Sequence, residues 1–170
     1  MKLLTLTIIL CLIASFSSAQ PLFSLHEKGE APSKTYDVLH YKLEFALDLG
    51  KKSVTGSTAI TLIPFRGNFN AIVLDAEEMA VRRTTIESIE MRFDTIGKKL
   101  TIHLPRSYTS GDTITVSIEY SCNPKQGMFW SRPDSGYPLK HWQVWSQGED
   151  MTNHFWFPCY DFPNDKSTSE

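Results

Sequence analysis

No basic cluster larger than a pair occurs in the 170 residues: Lys51–Lys52, Arg82–Arg83 and Lys98–Lys99 stand apart, and the formal charge is −2. Three separate pairs do not form a stripe that tracks a phosphate backbone, so nothing points to nucleic acid. Histidine is sparse, five in all, at 26, 40, 103, 141 and 154. No two are spaced i, i+4, so the helix face that presents two imidazoles to zinc is not encoded. "HEKGE" at 26–30 comes nearest, but Glu30 stands where a second histidine is needed, and Gly29 and Pro32 oppose a helix. Convincing amphipathic helices, repeats longer than the strand period and low-complexity tracts are also missing. The apolar run Leu3–Ile13 is too short to span a bilayer.

What is present is an ordinary globular composition, 41% hydrophobic and 21% charged, long enough for one domain and its core. The N-terminus reads as an export signal: Lys2, the apolar run, then Ser17-Ser18-Ala19, with Gln20 the expected mature start. An uncleaved anchor is the alternative. Lipoprotein processing at Cys11 is disfavoured by the bulky Leu10 before it. The expected location is extracytoplasmic, secreted or periplasmic, with no membrane span after cleavage. Residues 1–19 are then a signal peptide, 20–34 a polar leader and 35–170 the domain. Cys122 and Cys159 would remain. They could pair in an oxidising compartment, but their apolar neighbours favour two small buried thiols.

From residue 35 the texture is β. Tyr41, Leu43, Phe45, Leu47 and Leu49 alternate with polar or small residues and turn at Gly50-Lys51-Lys52. "SVTGSTAITLIP" follows and stops at Pro64. A third run covers Ile72–Leu74. Further runs alternate through Ile89, Met91 and Phe93; through Leu100, Ile102 and Leu104; and through Ile114, Val116, Ile118, Tyr120 and Cys122. At least six strands separated by turn residues predict an all-β fold, an antiparallel β-sandwich or barrel. After Cys122 the chain turns aromatic and Pro-rich, and all four tryptophans, 130, 142, 145 and 156, fall there. "HFWFPCYDFPNDK" at 154–166 is too apolar for a solvated loop and too rich in proline for a helix or central strand.

"GMFWS" at 127–131 and "WSQGEDMTNHFWFPCYDFPNDKST" at 145–168 together resemble the end of the N-terminal domain in the aminopeptidase N family of zinc peptidases, the gluzincins. That family shows a T-Q-x-[EQ] segment, an Ala-Arg pair, then F-P-C-F-D-E-P-x-x-K. Ser146-Gln147-Gly148-Glu149 matches the first part, and Phe157 to Pro163 with Lys166 matches the last. Two departures stand out: His154 occupies the position of the arginine, and Phe162 that of the acid before the second proline. The first puts any ion pair of that arginine in doubt.

The resemblance implies the family's saddle-like N-terminal β-sandwich. It implies that Glu149 accepts the α-ammonium of a peptide substrate, with Gln147 shaping the pocket. It also implies zinc in the full-length enzyme, held by a catalytic domain that would be this domain's partner. No HExxH helix occurs in these residues, so the chain is expected to bind no metal and to be inactive alone, a truncated reading frame or an excised piece of a larger enzyme. The aromatic segment is expected to pack at the border with that catalytic domain while holding the Glu149 loop. Asp161 is expected to satisfy backbone donors in a Pro-flanked turn. Without the resemblance, Glu149 beside Asp150 is simply a solvated acidic turn. Two other readings stand beside the enzyme: a stand-alone secreted β-sandwich used for binding, and a carbohydrate-binding sandwich using Trp142 or Trp145.

Overall fold

The structure, a computed structural model, describes residues 33–170. The expected signal peptide at 1–19 and nearly all of the leader at 20–34 lie outside the described residues. Eleven strands make up the described fold: β1 (Tyr36–Asp48), β2 (Ser53–Pro64), β3 (Phe69–Asp75), β4 (Met79–Ile86), β5 (Ile89–Glu90), β6 (Phe93–Ile96), β7 (Lys99–Tyr108), β8 (Ile114–Cys122), β9 (Met128–Ser131), β10 (Gln143–Ser146) and β11 (Thr168–Ser169). One 3-10 turn, Asn153–Phe155, interrupts the C-terminal segment.

A six-stranded sheet runs β11-β1-β2-β8-β4-β5, a three-stranded sheet runs β3-β7-β6, and β9 and β10 form a separate ribbon. All pairings are antiparallel except β1 with β11 at the edge. The expected sandwich is therefore present. Its core joins Ile60, Leu62, Ile114, Val116 and Ile118 of the large sheet to Ile72, Leu74, Leu100 and Ile102 of the small one, all essentially inaccessible to solvent. Burying aliphatic side chains of this size contributes about 1.5–3 kcal/mol each.

Alternation explains β8 completely: every second residue from Ile114 to Cys122 is buried. It explains β1 only in part. The strand starts earlier than the alternation suggests, with Tyr36 and Val38 buried, and a bulge between Val38 and His40 shifts the inward face onto Tyr41. Beyond Leu43 that face leaves the core, so Phe45 and Leu47 are 43% and 36% exposed rather than inward as expected. Gly56 pairs with Phe45, and a side chain there would place its Cβ 2.7 Å from the Phe45 Cβ.

The run through Ile89, Met91 and Phe93 is corrected: it is not one strand. Glu87 and Ser88, at φ 50° and 66°, turn the chain tightly between β4 and β5, and β6 then joins the other sheet. This two-residue turn carries neither Gly nor Asn, the residues that usually announce positive φ.

The aromatic segment packs into this domain: Phe155, Trp156, Phe157, Pro158 and Cys159 are buried among its own residues. The Phe157 ring meets Tyr41 edge-on at 5.9 Å, and Trp156 meets Phe45 at 5.6 Å. Cys159 pairs with Asp75 as an antiparallel bridge, and the Cys122 thiol points to the Trp156 carbonyl. The segment thus covers the end of the large sheet and extends the small one. Both cysteines are free and buried.

Candidate functional site

Ser146 ends β10, and the next six residues loop outward before the 3-10 turn begins at Asn153. The loop is closed at its base by backbone. Gln147 donates its N–H to the Gly127 carbonyl at 3.0 Å, and Thr152 donates its hydroxyl to the Gln147 carbonyl at 2.6 Å. Met151 and Thr152 N–H groups both reach the Gly148 carbonyl, at 2.8 and 3.0 Å. Two glycines allow this geometry. Gly127 has φ 75°, and a Cβ there would collide with the Thr152 carbonyl and lie 3.0 Å from Trp156 Cδ1. Gly148 lies against Asn153, where a Cβ would sit 2.6 Å from Oδ1. The Glu149–Asp150 peptide is cis.

Gln147 and Glu149, the two site residues expected from the sequence, are therefore on one short, pinned loop, and both are exposed. Among the described residues no ion pair or side-chain hydrogen bond engages the Glu149 carboxylate. It is a free acceptor on a constrained backbone.

The far end of the loop is fixed by a group the sequence only hinted at. His154 Nδ1 lies 2.6 Å from Asp161 Oδ2, and its Nε2 lies 3.1 Å from Glu77 Oε2. Asp161 Oδ2 also accepts the His154 N–H at 3.0 Å, the backbone role expected of it. Glu77 came from no motif; it lies between β3 and β4, and only the fold brings it to His154. Hydrogen bonding from Lys98 first, and from His154 next, holds the Glu77 carboxyl below the usual range.

Zinc does not fit here. Glu77 and Asp161 approach His154 through different ring nitrogens, on opposite sides of the imidazole, and cannot converge on one ion. Among the described residues no group of three or more His, Cys, Asp or Glu side chains could hold a metal.

The tryptophans divide. Trp156 is buried and Trp130 half-buried, as packing residues. Trp142 and Trp145 are exposed, and Trp145 stacks on Phe129 across the β9–β10 ribbon at 5.5 Å and 13°. Exposed apolar side chains thus occur on the ribbon and its 132–142 loop, where Tyr137 and Leu139 are also exposed.

A family model described as the peptidase M1 N-terminal domain matches residues 37–170. The leucine aminopeptidase 2 of Phaeosphaeria nodorum is 26% identical over 140 residues, covering 78% of this chain and 22% of that protein. The leukotriene A-4 hydrolase of Xenopus laevis is 22% identical over 145 residues, covering 81% of this chain and 24% of that protein. The chain thus spans about a quarter or less of the length of these curated relatives. An M1 zinc metallopeptidase from Deinococcus radiodurans superposes with a TM-score of 0.66 at 24% identity, over 80% of this chain and 31% of that one, a likeness of fold.

Proposed function

Because the chain belongs to the peptidase M1 N-terminal domain family, we propose that it acts as the substrate-anchoring N-terminal domain of a secreted zinc aminopeptidase. The reading is carried by one observation: Glu149 presents an unengaged carboxylate from a loop whose two ends are tied to the sandwich. An aminopeptidase has to hold the free α-ammonium of its substrate at a set distance from the scissile bond. A carboxylate does so through charge-assisted hydrogen bonds, which are short and strong. A pinned loop keeps that distance constant, because little freedom remains to be lost on binding. Gln147, two residues earlier, helps shape the pocket.

The peptide's N-terminus and a catalytic domain are the proposed partners. The reacting metal is proposed to be zinc held outside residues 33–170, so these residues alone hydrolyse nothing. The names of the matched aminopeptidase and metallopeptidase support that reaction class. Export rests on the residue 1–19 pattern, and a mature protein beginning at Gln20 is its direct check.

The test is Glu149→Ala in the intact enzyme. Truncating one partner of a buried charge pair costs about 2–5 kcal/mol, so kcat/KM for peptides with a free N-terminus should fall by about 30-fold or more. An unchanged rate removes Glu149 from the site. The exposed Phe129–Trp145 pair favours a second reading, a non-catalytic binding module. A coding sequence that carries no zinc helix after Glu170 would support that module.

A further inference from the structure

His154 is where the Glu149 loop re-enters the fold, and four contacts meet on it. Its N–H donates to Asp161, its carbonyl accepts the Glu77 N–H at 3.0 Å, and its two ring nitrogens face those same two carboxylates. The three side chains are 12%, 5% and 18% exposed for His154, Asp161 and Glu77. An ionised carboxylate can only accept, and a neutral imidazole has a single N–H. Both contacts are therefore satisfied together only by the imidazolium; a neutral ring would set a lone pair against one carboxylate.

The other charged groups around the ring do not offer a substitute donor. Lys98 lies 2.7 Å from Glu77, on the same Oε2 that His154 meets. Asp75 accepts the Asp161 N–H at 3.3 Å and is itself paired with Lys99 at 2.5 Å. The Cys159 thiol is kept neutral by burial. The Phe155 ring stacks on the imidazole, with centroids 4.5 Å apart, and restricts its rotation. An arginine, the residue of the resembled motif at this position, would keep its charge at any physiological pH. A histidine instead meets both carboxylates only while both ring nitrogens carry protons.

We propose that the Glu77–His154–Asp161 cluster is a pH-dependent clamp, with His154 a positioning residue that fixes the loop bearing Glu149 while its ring carries both protons. Loss of one proton breaks one of the two side-chain contacts and loosens the C-terminal end of the loop. The catalytic meaning of the clamp rests on the anchoring role proposed for Glu149; the clamp itself does not.

The direct test is amide hydrogen exchange at Glu77, Thr152 and His154 in the full chain, corrected for the intrinsic effect of pH on exchange. Wild type, His154→Arg and His154→Gln are compared between about pH 5.5 and pH 8.5. Wild-type protection is expected to fall about tenfold as pH rises, the scale of one lost hydrogen bond to a charged group. The arginine variant should hold its protection throughout, and the glutamine variant should be weakly protected at every pH. Flat wild-type protection, or an arginine variant that falls with pH as the wild type does, overturns the proposal. If the glutamine variant does not fold, the comparison of wild type with arginine still decides. In the intact enzyme, KM for a peptide with a free N-terminus should rise with pH more steeply in the wild type than in His154→Arg, whose remaining rise is the deprotonation of the substrate's own ammonium, with kcat moving less. A silent Glu149→Ala there would defeat the anchoring reading while the exchange result still judges the clamp.

Discussion

Asp75 and Cys159 exchange both backbone hydrogen bonds, 2.7 Å in one direction and 3.0 Å in the other. They lie 84 positions apart in the sequence, and this pair splices the C-terminal segment onto the end of β3. The splice explains why a stretch too rich in proline for a central strand is nonetheless buried. It makes one bridge rather than a ladder, so Pro158 and Pro163 forfeit no sheet bond. The segment's value is its rings, which fill the end of the large sheet where the three-stranded sheet stops.

The splice buries a thiol at each side of the Trp156–Phe157 pair, and neither is oxidised. Burial pushes the Cys122 thiol up to about 12, and burial first, then Asp161 and Asp75, raises Cys159 as well. Only the thiolate attacks an alkylating reagent. Iodoacetamide at pH 8 should therefore leave Cys122 and Cys159 unmodified in folded residues 20–170, which exclude Cys11, and label both in denaturant, with no reductant needed. Because both groups are shifted upward, lowering the pH cannot raise their reactivity. Rapid labelling of the native protein, or a mass two protons light, would contradict the packing described.

Gly127 and Gly97 make a controlled pair. Both have positive φ, 75° and 59°, but a Cβ at 97 meets nothing within 4 Å, whereas one at 127 strikes the Thr152 carbonyl. Gly97→Ala should cost only the left-handed backbone term, about 1–2 kcal/mol. Gly127→Ala should add about 1–3 kcal/mol of overpacking and loosen the loop at Gln147. Urea unfolding separates the two; equal losses would mean that the contact with Thr152 carries no energy.

Phe129 and Trp145 pair in register across the ribbon, yet are 42% and 49% exposed, and Trp142 and Leu139 of the connecting loop are exposed as well. Exposed apolar rings stacked in this way promote association. Residues 20–170 expressed alone should show concentration-dependent self-association in sedimentation velocity. The double change Phe129→Ser, Trp145→Ser should suppress it at little cost in stability, since neither ring belongs to the core. A wild-type domain that stays monomeric and binds no hydrophobic dye would show that this face does not drive association.

Legibility in the sequence followed the physics of each element. The alternation of β8 could be read directly because both of its neighbours pair without a bulge along its inner face up to Tyr120. β1 and β4 each carry a one-residue shift, at Val38/His40 and Val81/Arg83, which reverses the inward face midway and defeats a period-2 reading. The Glu87–Ser88 turn was hidden because its positive φ values fall on residues that do not advertise them. Ser146 to Glu149 and the Phe-Pro-Cys segment were legible as a motif, and the motif correctly joined the loop to its support. What it could not give was which of this domain's own residues the support meets, because the contacts of Phe157 with Tyr41 and of Trp156 with Phe45 exist only through the fold. Glu77 was invisible for the same reason: its link to His154 spans 77 residues and exists only through the fold.

Lys34 and Asp165 hold the start and the end of the described domain together. Lys34 Nζ lies 2.7 Å from Asp165 Oδ1 and 2.9 Å from Asp37, with side chains 14% exposed for Lys34 and 8% for Asp165. Asp165 Oδ2 also accepts the Val38 N–H at 3.1 Å, and the lysine sits 5.3 Å from the Phe65 ring centroid. Removing one partner of a buried pair strands the other charge, a loss of about 3–5 kcal/mol. Asp165→Ala should approach the lower end of that range, because Asp37 still faces the lysine, while the Val38 N–H loses its acceptor. Lys34→Met combined with Asp165→Asn removes both charges and keeps an oxygen for Val38. Its cost should therefore be well below the sum of the single changes, with a coupling of about 1 kcal/mol or more in a double-mutant cycle. Simple additivity in urea unfolding would mean that the pair is solvated in practice and that Val38 packing alone fixes this corner.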